Sequence, residues 1–232
     1  MTNRRAELEK NLVAVRQRIA DACSAAGRQS DTVSLLAVTK TFPIADIELL
    51  CDLGCTDVGE SRDQEARAKR AQSDRSVRWH MIGQVQRKKA RQILEWADVV
   101  ESVDRVELAD ALAAAAVQAD KSLEVLIQVS LSPVDEAGRG GVAVVDLEAL
   151  AIHIAGLPSL RLAGIMAVAP LNTDPLLAFT ALADAQQVLL RLAPEAKVIS
   201  AGMSGDLEAA IACGATQVRI GGALLGNRPA LK

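Results

Sequence analysis

The chain has 232 residues, of which 50% are hydrophobic and 24% are charged, and its formal net charge is -3. This composition is typical of a soluble globular protein, and the small negative charge gives no general attraction to nucleic acid or anionic lipid, so neither is an expected partner. No apolar run approaches the roughly 18 residues of a membrane span, and the charged start lacks the apolar core of a signal peptide, which favours a cytoplasmic location.

The chain opens with a predicted amphipathic helix. Apolar residues recur at alternating spacings of four and three among charged residues, at Leu8, Leu12, Val15, Ile19 and Ala22. This spacing predicts a helix that packs by one face only. Gly27 marks its expected end.

Strand-like and helix-like segments then alternate to the end of the chain. The predicted strands are VSLLAVT, TDVGE, VRWHMIG, ADVVESV, LEVLIQVSL, LRLAGIMAVA, AKVISAG and TQVRIGG. Each precedes a predicted helix or helical turn, at 44–53, 61–72, 84–96, 104–119, 144–157, from Asp174-Pro175 onward, at 204–214 and at 223–228. The pattern therefore consists of eight βα units.

Eight such units without a long linker or a break in composition predict one domain over residues 1–232. The expected fold is an α/β protein, a closed (β/α)8 TIM barrel with an extra N-terminal helix. An open doubly wound sheet is the alternative. It is disfavoured because the stretches GRGG and IGGALLG do not form the G-x-G-x-x-G fingerprint of a dinucleotide site.

In such a barrel the functional groups gather at the C-terminal ends of the strands. The residues at these positions are Lys40, Gly59-Glu60, His80, Ser130, Ala167–Pro170, Ala201–Gly205 and Gly221-Gly222. Several have a plain structural interpretation. Lys40 can be a solvated loop lysine, Gly59-Glu60 a turn, and His80 a hydrogen-bonded core histidine.

The loops after strands 7 and 8 are predicted to bind a phosphate, as these loops often do in barrels. In SAGMSGD, Gly202 and Gly205 let backbone amides approach an anion and Ser204 offers a hydroxyl; in RIGGALLG, Gly221 and Gly222 open a short helix. The alternative is that these glycines only make tight turns. A lysine after strand 1 that faces this site suggests a Schiff base with a phosphorylated carbonyl compound, either a phosphosugar, as in an aldolase, or pyridoxal 5′-phosphate (PLP).

Cysteine and histidine usage gives no sign of a metal site. The four cysteines are scattered in a chain too large to need disulfides, so we interpret them as buried thiols in a reducing compartment. Cys51 and Cys55 lie four residues apart on a predicted helix, but neither of the two histidines is near them in the sequence. No zinc site is therefore predicted.

Six segments carry a resemblance to a known family: LLAVTKTFP, DVGESRDQEA, RWHMIGQVQRKKAR, VLIQVSLS, GIMAVAP and, most specifically, SAGMSGDLEAAIACGATQVRIGGALLGNR. In this order they resemble the PLP homeostasis proteins, called YggS in bacteria and PROSC in animals, over nearly the whole chain. The resemblance implies a monomeric barrel of the alanine racemase N-terminal-domain type (PLP fold type III). It also implies PLP on Lys40 and a role in PLP homeostasis without a known turnover. PLP-dependent apo-enzymes are the protein partners that such a role suggests.

The same resemblance assigns the remaining cofactor-binding residues. Ser204 and the amide of Met203 match the family's phosphate contacts, Gly221 and Gly222 match its phosphate loop, and Arg219 matches the arginine that faces the pyridine nitrogen. The sequence departs from the family pattern at five places: Ser61 for Asn, RKK after Gln86 for Ser-Asn-Lys, Arg139 for Lys, Gly222 for Thr and Leu225 for Phe. The changes at Ser61 and Gly222 each remove one expected contact.

Arg219 also bears on the choice between a binding protein and an enzyme. A guanidinium accepts no proton, so it would keep the pyridine nitrogen unprotonated and weaken the ring as an electron sink. A PLP-dependent amino-acid racemase is the alternative function. Related racemases take their second base from a tyrosine, and this chain contains none.

Overall fold

The closed barrel predicted from the repeats is present in the computed structural model, which describes residues 2–132 and 140–226. Eight parallel strands pair in chain order, and the last pairs with the first. The strands are β1 (Ser34–Val38), β2 (Asp57–Glu60), β3 (Arg78–Met81), β4 (Val99–Val103), β5 (Leu123–Gln128), β6 (Leu160–Met166), β7 (Val198–Ser200) and β8 (Gln217–Ile220). Their C-terminal ends share one end of the barrel, called the mouth below.

Helices surround the barrel. They are α1 (Thr2–Ala25), α2 (Ile44–Asp52), α3 (Asp63–Arg70), α4 (Ala90–Ile93), α5 (Val106–Gln118), α6 (Leu147–Ala155), α7 (Pro175–Leu192), α8 (Leu207–Ala212) and α9 (Gly222–Leu225). Strands covered on both faces are buried along their length, and all five residues of β4 are buried, the polar Glu101 and Ser102 among them. Within the two described ranges, no helix combines the length and the apolar character needed to cross a membrane.

The predicted N-terminal helix is α1, and its predicted apolar face is buried. Leu8 and Leu12 belong to a hydrophobic cluster that also contains Leu207 of α8 and Leu224 of α9. The helix therefore packs over the two short helices that follow β7 and β8. It ends at Ala25, and Gly27 adopts the left-handed conformation (φ +66°) that commonly ends a helix.

Two predicted helix boundaries had different outcomes. Asp174 caps α7, since its side chain accepts a hydrogen bond from the amide of Leu176 at 3.0 Å, as the Asp-Pro signal predicts. The continuous helix predicted over 84–96 is wrong. A 3-10 turn at Arg87–Lys89 precedes the four residues of α4. The reason is that Gln86 is extended and the Val85 carbonyl accepts from Arg105 at 3.0 Å instead of from a helical amide.

The prediction of four buried thiols holds for two of them. Cys23 and Cys55 are buried, whereas Cys51 and Cys213 are half-buried. Cys55 also lies beyond the end of α2, so it does not share a helix with Cys51. Burial raises the pKa of the Cys55 thiol to about 11, which keeps it protonated and unreactive at neutral pH.

Candidate functional site

A cavity of about 420 Å³ opens at the mouth beside the ends of β1, β7 and β8. This volume lies within the roughly 300 to 1,000 Å³ usual for small-molecule sites. We call it the lysine cavity; its lining residues are Val38, Lys40, Phe42, Met203, Ser204, Gly205, Arg219, Gly221, Gly222 and Gly226. All six residues predicted from the sequence as cofactor-binding therefore line one cavity.

The backbone before Lys40 is held by a buried lysine. Lys69 donates to the carbonyl of Thr39 at 3.0 Å, to Glu60 Oε1 at 2.8 Å and to Glu65 Oε1 at 2.6 Å. Burial raises the pKa of Glu60, while the charge of Lys69 opposes that rise. The interpretation of Gly59-Glu60 as a plain turn is wrong, because Glu60 ends β2 and its side chain is fully buried.

The backbone after Lys40 is held by the same cluster. The amide of Thr41 donates to Glu65 Oε1 at 2.5 Å. Thr41 has φ +72°, which is rare for a β-branched residue and persists only where the surrounding structure enforces it. Thr39 is in turn tied to Glu60 through its hydroxyl at 2.7 Å. Lys40 is therefore fixed at the mouth from both sides.

Two glycine loops, residues 201–206 and 221–226, form the opposite part of the lysine cavity. A Cβ atom at Gly205 or Gly222 would meet no atom within 4 Å, so the backbone there is open to an approaching group. Gly202 has a different requirement. Its φ is +90° and a Cβ would lie 2.6 Å from that of Ala210, so packing against α8 demands glycine there.

The amide of Met203 is already used within its own loop. It donates to Asp206 Oδ1 at 2.6 Å, and this carboxylate precedes α8. An anion could take this amide only by replacing the carboxylate. Ser204 and Gly205 also line the cavity, and they carry further donors of this loop, a hydroxyl and a backbone amide.

Arg219, on β8, lies at the inner wall of the lysine cavity and is 4% exposed. Its Nη1 donates to the backbone oxygen of Ser200 at 2.6 Å and to the Oγ atom at 2.8 Å, and its Nη2 donates to the carbonyl of Ala167 at 2.7 Å. Burial lowers the pKa of Arg219, and the charges of Glu101 and Asp206 oppose that effect. Because a guanidinium only donates, a ligand atom beside it must be an acceptor.

Behind Arg219, a buried carboxylate supplies the balancing charge. Ser200 Oγ donates to Glu101 Oε2 at 2.7 Å, and Gln217 Nε2 donates to Glu101 Oε1 at 2.7 Å. Glu101 is fully buried on β4, so these bonds cross the inside of the barrel. Ser200 thus links the guanidinium to the carboxylate, and this holds Arg219 in one orientation.

His80 extends the same network away from the cavity. Its Nδ1 lies 2.7 Å from Glu101 Oε1, and its Nε2 lies 2.9 Å from Asp57 Oδ1. Burial disfavours the charged form of all three groups. The mutual hydrogen bonds and charges outweigh it, so the pKa of His80 is raised and the pKa values of Asp57 and Glu101 are lowered. The interpretation of His80 as a hydrogen-bonded core histidine is therefore correct.

Other residues singled out from the sequence do not line the lysine cavity. Ser130 lines an adjoining cavity of about 240 Å³, which shares Met203 with the lysine cavity. Leu225, which replaces the family's phenylalanine, is buried in the cluster beneath α1. Ser61 is not among the residues lining the lysine cavity, and Arg139 lies outside the described residues.

A larger cavity of about 650 Å³ lies beside the first residues of β1 and β2, next to α1. It is at the opposite end of the strands from Lys40. Its lining includes Arg16, which donates to the carbonyl of Gly54 at 3.0 Å, and Cys55, whose pKa is raised. The smaller lysine cavity is the better candidate because it combines an amine, open backbone and a buried guanidinium.

These groups suit a phosphorylated aldehyde with a ring acceptor. The Lys40 amine can react with an aldehyde, the Ser204 hydroxyl and the open backbone at Gly205 and Gly222 can receive a phosphate, and Arg219 requires an acceptor beside it. Phe42 completes the wall, although the sequence alone assigns it no role. The supports of Lys40 and Arg219 were not predicted, because no local pattern joins residues so distant in the sequence.

Sequence relatives cover almost the whole chain. Residues 10–229 match the family described as alanine racemase, N-terminal domain. The chain is 40% identical over 246 residues to the pyridoxal phosphate homeostasis protein of Mycobacterium bovis, with 97% of this chain and 95% of the relative covered. It is 42% identical to the protein of that name from Pseudomonas aeruginosa, with 95% and 96% covered.

Solved structures show the same fold. PipY of Synechococcus elongatus PCC7942, solved with PLP bound, has a TM-score of 0.81 and 30% identity, covering 94% of this chain and 100% of that chain. Alanine racemase from Corynebacterium glutamicum has a TM-score of 0.67 and 18% identity, covering 95% of this chain and 64% of that chain, which shows the fold alone. The barrel is therefore of the alanine racemase N-terminal-domain type. On the identity and coverage of its relatives, the chain belongs to the family of pyridoxal phosphate homeostasis proteins.

Proposed function

We propose that this protein binds PLP in the lysine cavity, as a Schiff base on Lys40, and takes part in intracellular PLP homeostasis. The observation that carries the proposal is the meeting of Lys40, the two glycine loops and Arg219 around one cavity. When bound, PLP supplies an electrophilic aldehyde and a phosphate on one ring. The cavity offers an amine for the first and open donors for the second.

Each group has a distinct proposed role. Ser204 donates its hydroxyl to the phosphate, and the backbone at Gly205, Gly221 and Gly222 approaches the phosphate without a Cβ in the way. Arg219 donates an N–H to the pyridine nitrogen, which then stays unprotonated because the guanidinium keeps its protons at neutral pH and can only donate hydrogen bonds. The amide of Met203 joins only if the phosphate displaces the carboxylate of Asp206.

The relatives support a role in supply of the cofactor. The similar proteins of Mycobacterium bovis and Pseudomonas aeruginosa are named for PLP homeostasis, and PipY was solved with PLP bound. We propose that this chain acts in the same way, as a monomer that holds a reactive aldehyde. PLP-dependent apo-enzymes are the proposed recipients.

The test combines a spectrum with a covalent label. The purified protein should gain a visible absorption band when PLP is added, and borohydride reduction followed by peptide mapping should place the pyridoxyl group on Lys40. Lys40→Ala should lose both signals. Lys197→Ala is the matched control, because the Lys197 side chain is 68% exposed and lies outside the lysine cavity.

Two results would contradict the proposal. A label on another lysine, or a band that survives in Lys40→Ala, would place the Schiff base elsewhere. A parent protein that stays colourless and does not react with PLP would favour the Schiff-base aldolase. Trapping Lys40 with a phosphosugar and borohydride would then identify that activity.

A further inference from the structure

Three polar side chains of α1 donate hydrogen bonds to backbone carbonyls of the two glycine loops. Arg4 Nη2 donates to Leu225 O at 3.0 Å, Asn11 Nδ2 to Leu224 O at 3.0 Å, and Arg18 Nη2 to Ser204 O at 3.1 Å. The donors are spaced by seven residues, so they lie on one face of the helix over about 21 Å of its length. One helix outside the barrel therefore reaches both loops of the lysine cavity.

The two outer donors are themselves fixed. Arg4 makes two hydrogen bonds with Asp46 of α2, at 2.6 and 3.1 Å, and Arg18 makes two with Glu208 of α8, at 2.7 and 3.0 Å. The apolar stripe of α1 packs in one cluster with buried side chains of α8 and α9. The helix thus holds these side chains in place against the loops.

The bond to Ser204 O has a consequence on the other side of the peptide. In a trans peptide the carbonyl oxygen and the following N–H point in opposite directions. Arg18 draws the Ser204 carbonyl toward α1, so the N–H of Gly205 is turned away from α1. Gly205 lines the lysine cavity, and its backbone is open.

The bonds to Leu224 O and Leu225 O act at the end of α9. The last carbonyls of a helix have no partner within the helix, and α9 is only four residues long. Asn11 and Arg4 satisfy two of these carbonyls from outside. They therefore stabilise the helical conformation of α9. They also fix Gly222, where α9 begins at the cavity wall.

We infer that α1 is a positioning element for phosphate binding, with Arg18 orienting the Gly205 amide and Asn11 and Arg4 holding α9. This inference rests on the proposed function, because it assigns α1 to the phosphate end of the same cavity. None of the three side chains lines that cavity, so they act through the loops. The lysine end of the cavity is held separately, by Lys69 and Glu65.

The experiment compares PLP with pyridoxal, which has the aldehyde but no phosphate. Arg18→Met and Asn11→Asp should each weaken PLP binding by about 3- to 10-fold, the effect of losing one hydrogen bond, and the double variant should lose more. Binding of pyridoxal should stay within about two-fold of the parent, because Lys40 anchors it. Visible absorption and fluorescence titrations measure both affinities.

Two controls separate positioning from general stability. Arg16→Met removes an arginine–carbonyl bond of the same helix that ends at Gly54, away from the loops. Glu208→Gln weakens the ion pair between Arg18 and residue 208 but leaves the hydrogen bond from Arg18 to Ser204 O in place. Both should bind PLP within about two-fold of the parent if the loop bonds are the cause. If Arg18→Met does not fold by circular dichroism, Arg18→Lys carries the same prediction, since one ammonium cannot reach both partners in the same fork geometry.

The possible results distinguish failure of this inference from failure of the proposed function. A selective loss of PLP affinity supports the inference. Equal losses for PLP and pyridoxal, or unchanged PLP affinity in the double variant, would overturn it while leaving the proposed function standing. A parent that binds neither compound would overturn both.

Discussion

Ser204 lines the part of the lysine cavity formed by the glycine loops, and its hydroxyl is the proposed donor to the phosphate. Ser204→Ala should weaken PLP binding by about 1 to 3 kcal/mol, the range for losing a hydrogen bond to a charged group. Reaction with Lys40 should survive at high PLP concentration. Fluorescence titration measures the change, with Ser122→Ala as control because Ser122 is exposed just before β5, at the opposite end of the strands from the lysine cavity. Equal PLP affinity in Ser204→Ala and the parent would show that the phosphate does not bind at Ser204.

His80 makes stability depend on pH. Burial opposes its charge, but the hydrogen bonds to Asp57 and Glu101 raise its pKa above the ordinary value. Because the pKa of His80 is raised in the folded state, the protonated imidazole stabilises the fold fully below about pH 6.5. This stabilisation is lost as the pH rises through the folded-state pKa. The pKa values of Asp57 and Glu101 are lowered, so these ionised carboxylates stabilise the fold at neutral pH. Their contribution is lost as the pH falls through the folded-state pKa values.

His80→Gln should therefore flatten the alkaline side of the stability profile. Between about pH 6 and about pH 9 the free energy of unfolding should fall more in the parent than in the variant. Urea unfolding at both pH values gives the difference. If the two proteins lose stability equally over this range, then His80 is not protonated in the folded state.

At the scale of elements, α3 fixes the chain segment that carries the reactive lysine. Lys69 is the last-turn residue of α3 that reaches back to Thr39 and to two carboxylates. This contact joins α3 to the end of β1. The glycine loops are fixed by α1, so different helices support the two ends of the cavity.

Removing Lys69 should damage both stability and the site. Lys69→Met should cost about 3 to 5 kcal/mol in the free energy of unfolding, because Glu60 would remain buried without its partner. Adding Glu60→Gln should recover part of that loss. Labelling of Lys40 by PLP and borohydride should slow in the single variant, since Thr39 and Thr41 would lose their anchors. Lys121→Met is the control, as Lys121 bonds only weakly to Leu94 O at 3.4 Å; an equal loss there would contradict this account.

At the scale of the whole molecule, the proposed site favours holding PLP over turning over amino acids. In the proposed site Arg219 disfavours a protonated pyridine ring, and the sequence contains no tyrosine to serve as an opposing base. We expect no racemisation, decarboxylation or transamination of common amino acids near the usual enzyme rate, on the order of 10 per second. Slow proton exchange at the α-carbon, with Lys40 as base, is compatible with this expectation.

The measurement is incubation of the PLP-loaded protein with each common L-amino acid in deuterated water. Deuterium at the α-carbon, the ratio of enantiomers and released keto acid report the three reactions. Turnover near ordinary enzyme rates that disappears in Lys40→Ala would establish a racemase-like enzyme.

The sequence by itself determined the barrel, the amphipathic α1 and the cap at Asp174, and it pointed to Lys40 and to the glycines of the two loops, whereas Met203 and Arg219 were assigned through the family resemblance. It could do so because alternating strand and helix patterns are local, and because parallel strands in a barrel bring their C-terminal ends to one edge. A lysine after β1 and glycines after β7 and β8 must then lie near one another.

Only the tertiary structure decided what holds those residues. The partners of Arg219 are Ser200 on β7 and Ala167 just after β6, the carboxylate behind it lies on β4, and α1 reaches carbonyls 186 to 221 residues away. The same holds where the predicted helix over 84–96 failed, because the Val85 carbonyl accepts from the distant Arg105 instead of from a helical amide. Such contacts depend on how side chains from distant segments fit together in a close-packed interior, and no local periodicity encodes that fit.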